Sequence, residues 1–321
     1  MKKFLILALI TIFATGCDDG IIKVENLDFA DSVTQSCGNL VFKLNDNEAL
    51  LISLPEAAYN TAFTNKPTAV GVPILIPINS DNRVLYRFYD GTVSSETVCN
   101  VIPPINPKAQ DEWIGISGNI QITTTAIIEP NTDLEGGQKI SGYKHQITFK
   151  NITFQKEGGN QFYDTFVFGV FQQSVQPISF VFDENLEKCT NSNLIFNIAG
   201  SSAFTLNIDP NLILSQVTTI DQPRVGYIEA DKNILKYTKF AAVVTSNYYC
   251  GTTVPTVPAI LETYTGVIGV TNVSGIIEVT TTTNGTGFLH EIHLKKVMLT
   301  SDLGVSFLLA DDYFYGQLIT N

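Results

Sequence analysis

Gly142-Tyr143-Lys144-His145-Gln146-Ile147 returns further along the chain as Gly287-Phe288-Leu289-His290-Glu291-Ile292. Upstream of this pair, Ser117-Gly118-Asn119-Ile120-Gln121-Ile122-Thr123 aligns with Ser274-Gly275-Ile276-Ile277-Glu278-Val279-Thr280. Downstream, Asp164-Thr165-Phe166-Val167-Phe168-Gly169 aligns with Asp311-Asp312-Tyr313-Phe314-Tyr315-Gly316. Towards the N-terminus, Asn39-Leu40-Val41-Phe42 matches Asn193-Leu194-Ile195-Phe196, Pro104 and Pro107 match Pro255 and Pro258, and Trp113 falls where Tyr264 does. Matches kept in one order from residue 39 to residue 169 identify an internal duplication.

Each copy reads as β structure. Ile147-Thr148-Phe149 and Ile152-Thr153-Phe154 alternate apolar and polar residues, as do Ile292-His293-Leu294 and Val297-Met298-Leu299, the period of a half-buried strand. Val41 to Leu44 and Ala49 to Leu54, joined by Asn45-Asp46-Asn47, form a hairpin pattern. The Thr runs 123–125 and 280–283 suit strands because β-branched side chains are restricted in helices. Helix signals are confined to Pro55-Glu56-Ala57-Ala58-Tyr59 and Pro210-Asn211-Leu212-Ile213-Leu214, equivalent places where proline opens a turn. The expected fold is all-β: two tandem duplicated β-sandwich or Greek-key-like domains, spanning residues 37–173 and 189–321. Residues 174–188 read as a linker whose stretch Ile178-Ser179-Phe180-Val181-Phe182 alternates like a strand.

Composition narrows the classes. Of 321 residues 44 % are hydrophobic and 16 % charged, which excludes a disordered chain and a coiled coil. A net charge of −12 disfavours nucleic-acid backbones and anionic membrane surfaces. After residue 16 no run reaches the roughly 18 apolar residues of a membrane-spanning helix.

Cysteine placement follows the repeat. Cys37 to Cys99 and Cys189 to Cys250 are spans of nearly equal length, and only this pairing gives each copy the same internal bridge. Each would close a loop worth about 4 kcal/mol in the chain-entropy model. The absence of any C-x-x-C pair makes a zinc site a poor alternative.

The chain begins Met1-Lys2-Lys3, continues through an apolar run Phe4 to Phe13, and reaches Ala14-Thr15-Gly16-Cys17, the layout of a secretory signal. The last four residues resemble the bacterial lipobox. The resemblance implies cleavage after Gly16, so that residues 1–16 are a signal peptide, and lipidation of Cys17. Acyl chains there would hold the body on a membrane, and residues 17–36 would be its polar tether. The body is similar in layout to tandem β-domain envelope lipoproteins of Gram-negative bacteria, a similarity that carries no functional residues. It implies a lipid-anchored protein of the cell envelope, with the outer membrane favoured. Asp18 and Asp19 leave the leaflet open, since acidic residues beside the cysteine are read oppositely in different lineages.

Catalytic patterns are missing. The sequence holds no G-x-S-x-G elbow, no S-x-x-K and no phosphate-binding glycine loop. His145 and His290 are equivalent and read as polar positions on a repeated strand. His290 and His293, three apart on a strand, face opposite sides and cannot clasp one metal. Asn79-Ser80-Asp81-Asn82 and Asp311-Asp312 lack the spacing of a calcium loop. Trp113 and Tyr264 are the candidate ligand contacts, weighed against a place beside the core disulfide. Glu112, Asp164 and Asp311 are the acids a hydrolase would have to assemble, but the last two occur in both copies, which favours a structural role. The expected function is a non-enzymatic interaction or structural module of the envelope, without cofactor or metal. Its partners would be the membrane through the anchor and an envelope protein or glycan, with no nucleic acid. The alternative is a surface glycan-binding lipoprotein of a carbohydrate-uptake system.

Overall fold

The computed structural model describes residues 26–190, 192–251, 253 and 255–321. The expected signal segment 1–16, Cys17 and the start of the tether lie outside them. Strands make up 53 % of the chain and helices 6 %, so the all-β expectation holds. The bridges Cys37–Cys99 and Cys189–Cys250 close one in each repeat.

The first repeat contains β1 (Thr34–Cys37), β2 (Leu40–Asn45), β3 (Glu48–Ser53), β4 (Ile74–Pro77), β5 (Arg83–Tyr89), β6 (Ala109–Pro130), β7 (Gln138–Lys156) and β8 (Gly159–Ser174). They form one antiparallel sheet, β1-β2-β3-β5-β6-β7-β8, with β4 added to β6. The sheet becomes two layers because its long strands fold over. The β6–β7 register shifts on both sides of Ser117, and Gly118 adopts φ +109° where a Cβ would stand 2.7 Å from the Asn151 carbonyl oxygen. Only glycine allows that approach. Asn151, on the facing strand, has φ 52°. Inward side chains from both layers, among them Val41, Ile52, Tyr86 and Trp113 with Ile122, Ile147, Phe149 and Phe168, make the core. On the outer face, α2 (Ser95–Cys99), which follows α1 (Glu56–Ala62), lies over Phe42, Leu51 and Leu85, and the disulfide pins this flap to Cys37.

The second repeat follows the same plan with β9 (Glu187–Lys188), β10 (Leu194–Ala199), β11 (Ser202–Asn207), β12 (Arg224–Tyr227), β13 (Ile234–Phe240), β14 (Ile260–Gly266), β15 (Ile276–Asn284), β16 (Gly287–Lys295), β17 (Met298–Ser301), β18 (Ser306–Leu308) and β19 (Asp312–Thr320). Here the fold line is a break: one sheet runs β18-β17-β14-β13-β11-β10-β9 and the other β12-β15-β16-β19. The offset between repeats rises from 151 at Trp113/Tyr264 to 157 at Gly118/Gly275, so six extra residues separate β14 from β15. Lys296, φ 50°, takes the place of Asn151. A 3-10 turn at Pro210–Leu212 corresponds to α1, so the helical turn expected in each copy is present; α3 (Asn247–Cys250) corresponds to α2.

Two boundaries change. Leu27 and Phe29 are buried in the first core, and Phe29 sets its ring edge-on to Tyr86 at 6.3 Å. The folded body therefore starts inside the expected tether 17–36. Likewise 174–188 does not run free. Phe180 stands at the same offset from Phe29 as Tyr264 does from Trp113. It packs 5.0 Å from Tyr237 and accepts a hydrogen bond from the Tyr313 hydroxyl at its carbonyl oxygen. Residues 178–182 join no sheet; Phe180 enters the core with Ile178 and Phe182 packed against it, while Val181 is exposed. Each repeat thus begins with an aromatic plug.

The β6–β7 hairpin also departs from the repeat. Thr124 and His145 are separated by 21 residues, their counterparts Thr281 and His290 by 9, so the first hairpin is much the longer. This arm reaches the second repeat, where Leu134, Ile140 and Tyr143 enter the core. Its tip lies along the edge of the β18–β19 segment. Asp311 N–H donates to the Glu135 carbonyl at 2.9 Å, and Leu308 N–H to Gln138 Oε1 at 3.0 Å. A Cβ on Gly136 would stand 2.3 Å from Asp311 Oδ2. The arm makes the two repeats one body.

Candidate functional site

The histidines are structural in both repeats. His145 and His290 are fully buried. Thr124 and Thr281 sit 2.8 Å from their Nδ1 atoms. Arg224 donates to Thr281 Oγ1 at 2.8 Å, so that hydroxyl directs its own proton to His290 Nδ1. Nε2–H then donates to Thr320 Oγ1 at 2.9 Å, and in the first repeat His145 Nε2–H donates to Gln173 Oε1 at 3.1 Å. Both rings are thereby held neutral with both nitrogens engaged. Burial lowers both pKa values, and Arg224 and Lys188 push His290 further in the same direction. His293 instead faces outward and pairs with Asp312 at 2.7 Å. The opposite facing of His290 and His293 follows the strand alternation.

The acids do not assemble. Glu112 pairs with Arg87 at 2.6 Å, Asp164 accepts from Thr165 at 3.0 Å, and Asp311 belongs to the arm contact. Asn79 Oδ1 accepts from the Asp81 and Asn82 N–H groups and closes a turn. Among the described residues, no group of three or more His, Cys, Asp and Glu is placed to hold a metal.

Trp113 and Tyr264 require a correction. Trp113 is 1 % exposed, packs on Tyr86, and donates from Nε1 to Asp111 at 2.8 Å, while Lys156 lies over its ring. It cannot offer a face to a ligand. Tyr264 is 5 % exposed and its ring is equally part of the core. The large aromatic that follows the flap in sequence is used for packing in both copies, so no stacking platform forms from this pair.

What Tyr264 does present is its hydroxyl. A groove of about 460 Å³ runs along the seam between the repeats. Its first-repeat wall is Asn65, Lys66, Pro67 and Tyr143 of the arm; its second-repeat wall is Ile260 to Tyr264 of β14 and the turn around Leu303. Tyr143 is also 5 % exposed. The fully enclosed side-chain polar atoms without a partner among the described residues are Thr34 Oγ1 and Tyr163 OH. The hydroxyls of Tyr143 and Tyr264, which no described protein group engages, therefore reach open space, and the groove provides it. The half-buried Glu262 carboxylate lies close enough to act on both, and like them it has no hydrogen-bonding or ionic partner among the described residues. Burial, and after it the Glu262 charge, raises the pKa of each tyrosine. The phenols stay protonated and can donate, while the carboxylate can only accept. Ile260, Leu261 and Leu303, each about half exposed, form an apolar rim.

Tyr143 and Glu262 are not evident from the sequence. One signal bears on Tyr143: its counterpart is Phe288, so the hydroxyl exists only in the first repeat, on the arm. Compared with protein-family models, curated proteins and solved structures, the chain matches none.

Proposed function

We propose that the protein is a lipid-anchored module of the cell envelope that works by binding, held in the outer membrane through Cys17, with the seam groove as its working surface. The observation that carries the binding half of this reading is the groove itself: the hydroxyls of two buried tyrosines and a carboxylate, all without a described protein partner, line an open cleft between the two joined repeats. Clefts of this size at domain junctions are where small ligands bind. The two buried histidines are engaged in holding the fold. The anchoring half rests on Ala14-Thr15-Gly16-Cys17.

Two measurements test it in Gram-negative cells expressing the protein. An alkyne fatty acid should label wild type and not Cys17→Ala, and Cys17→Ala should leave the membrane fraction; an unlabelled wild type overturns the anchor. A photocrosslinker placed at Leu303 should capture one defined envelope component, and the same probe at exposed Phe162, on the first repeat's β8 and not lining the groove, should not. Equal capture at both positions overturns the groove as the working surface.

A further inference from the structure

We infer that the seam groove takes an uncharged, hydroxyl-rich ligand, a short saccharide segment, held by the Tyr143 and Tyr264 hydroxyls and the Glu262 carboxylate. This rests on the groove being the binding surface and adds the class of ligand.

Lys66 stands on one wall and Glu262 and Asp302 on the other. A ligand of either sign is drawn to one wall and repelled by the other, so charge gives it little net preference, and selection falls to hydrogen bonding. The phenols are donors kept protonated at physiological pH, and the carboxylate is an acceptor, so the best occupant carries groups that both give and accept hydrogen bonds. Sugar hydroxyls do both. Leaving such groups unpaired when the cleft is dehydrated costs more than a simple lost contact, which makes their pairing selective. The rim of Ile260, Leu261 and Leu303 supplies apolar surface for the C–H face of a pyranose ring without aromatic stacking. The volume lies within the roughly 300–1,000 Å³ range of small-ligand sites. Tyr143 comes from the first repeat and Tyr264 from the second, so the site exists only because the arm is docked.

The test is calorimetric titration of the intact protein with neutral trisaccharides (maltotriose, cellotriose, tri-N-acetylchitotriose), with putrescine and with succinate. At least one trisaccharide should bind, and putrescine and succinate should not. Tyr264→Phe and Tyr143→Phe remove one hydroxyl each, leave the core packing intact, and should each weaken binding up to about tenfold. Glu262→Gln keeps the shape and should weaken it by at least as much. Binding of putrescine or succinate at the groove, with no trisaccharide bound, would overturn the ligand class while leaving the groove as a binding surface. A trisaccharide that binds all three variants at wild-type strength would show that the sugar sits elsewhere and overturn the assignment. Failure of every probe to bind, together with crosslinking that does not favour Leu303, would bring down the groove reading as well.

Discussion

The first repeat builds its two layers from strands that fold over without stopping, and the second builds the same layers from strands that stop and restart. Gly118 and Asn151 mark the fold line in one; in the other, six inserted residues and Lys296 mark it. The cores, plugs, disulfide flaps and Thr–His pairs are otherwise parallel. A second difference is larger in consequence. The longer first hairpin covers the edge of β18, whereas among the described residues no strand pairs with the corresponding edge of β8, and Phe162, opposite Thr153 as Leu308 is opposite Met298, is 57 % exposed. One insertion thus turned two similar domains into a joined pair with a groove between them. Duplication supplied the scaffold, and the asymmetric insertion supplied the site.

The largest effect should come from removing that asymmetry. Replacing residues 126–143 with the short turn of the second repeat takes Ile140 and Tyr143 out of the second core. Two large-to-small core losses suggest roughly 6 kcal/mol. Calorimetry should then show two unfolding transitions where the wild type shows one; a single transition at the wild-type temperature would mean the arm is ornamental.

Next come the bridges. Cys37→Ser with Cys99→Ser, and Cys189→Ser with Cys250→Ser, should cost about 4 kcal/mol each, because the loops they close are nearly equal. Denaturant midpoints would show it, and a large inequality would mean that the two flaps carry different loads.

The buried histidines should give a smaller effect that depends on pH. Their folded pKa values lie below the unfolded value near 6.5. The unfolded chain therefore binds protons that the folded chain refuses. Stability is complete above about pH 6.5 and declines as pH falls through it, by up to about 1.4 kcal/mol per pH unit for each histidine. His145→Asn and His290→Asn should each flatten the acid limb, measured as midpoint against pH; an unchanged limb in both would mean that neither buried ring refuses the proton.

The smallest effect should separate the two edges. Leu308→Asp places a charge beneath the arm and should cost about 1 kcal/mol, while Phe162→Asp on the bare edge should fall within about 0.5 kcal/mol of wild type. Equal costs would mean that the β8 edge is covered too.

The duplication made much of this fold legible. A strand period, two cysteine pairs at near-equal separations and a repeated His position led to the class, the bridges and the helical turn in each copy. The arm left one trace in the sequence: the offset between copies falls from 157 at Gly118 to 145 at His145. That drop gives the length of the insertion and says nothing of where it packs. The first plug was missed because Leu27 and Phe29 sit among polar neighbours in a loop-like stretch, and the second because the alternation around Phe180 suggests a strand, whereas the segment packs into the core without joining a sheet. The groove was illegible for a more basic reason: Tyr143 and Tyr264 belong to different repeats, far apart along the chain, and meet only after the arm has docked. Trp113 shows the converse, since its chemistry suggested a contact and its burial gave it to the core.

The flaps have a mechanical consequence. A pull on the N-terminus would draw first on Phe29 and then on β1, and at Cys37 the load would pass through the sulfur bridge straight to Cys99. Residues 38–98 would carry no tension, and the second bridge would shield 190–249 in the same way. Only the stretches outside those loops could be drawn out, and two slack coils would stay locked inside the chain however far the rest extended.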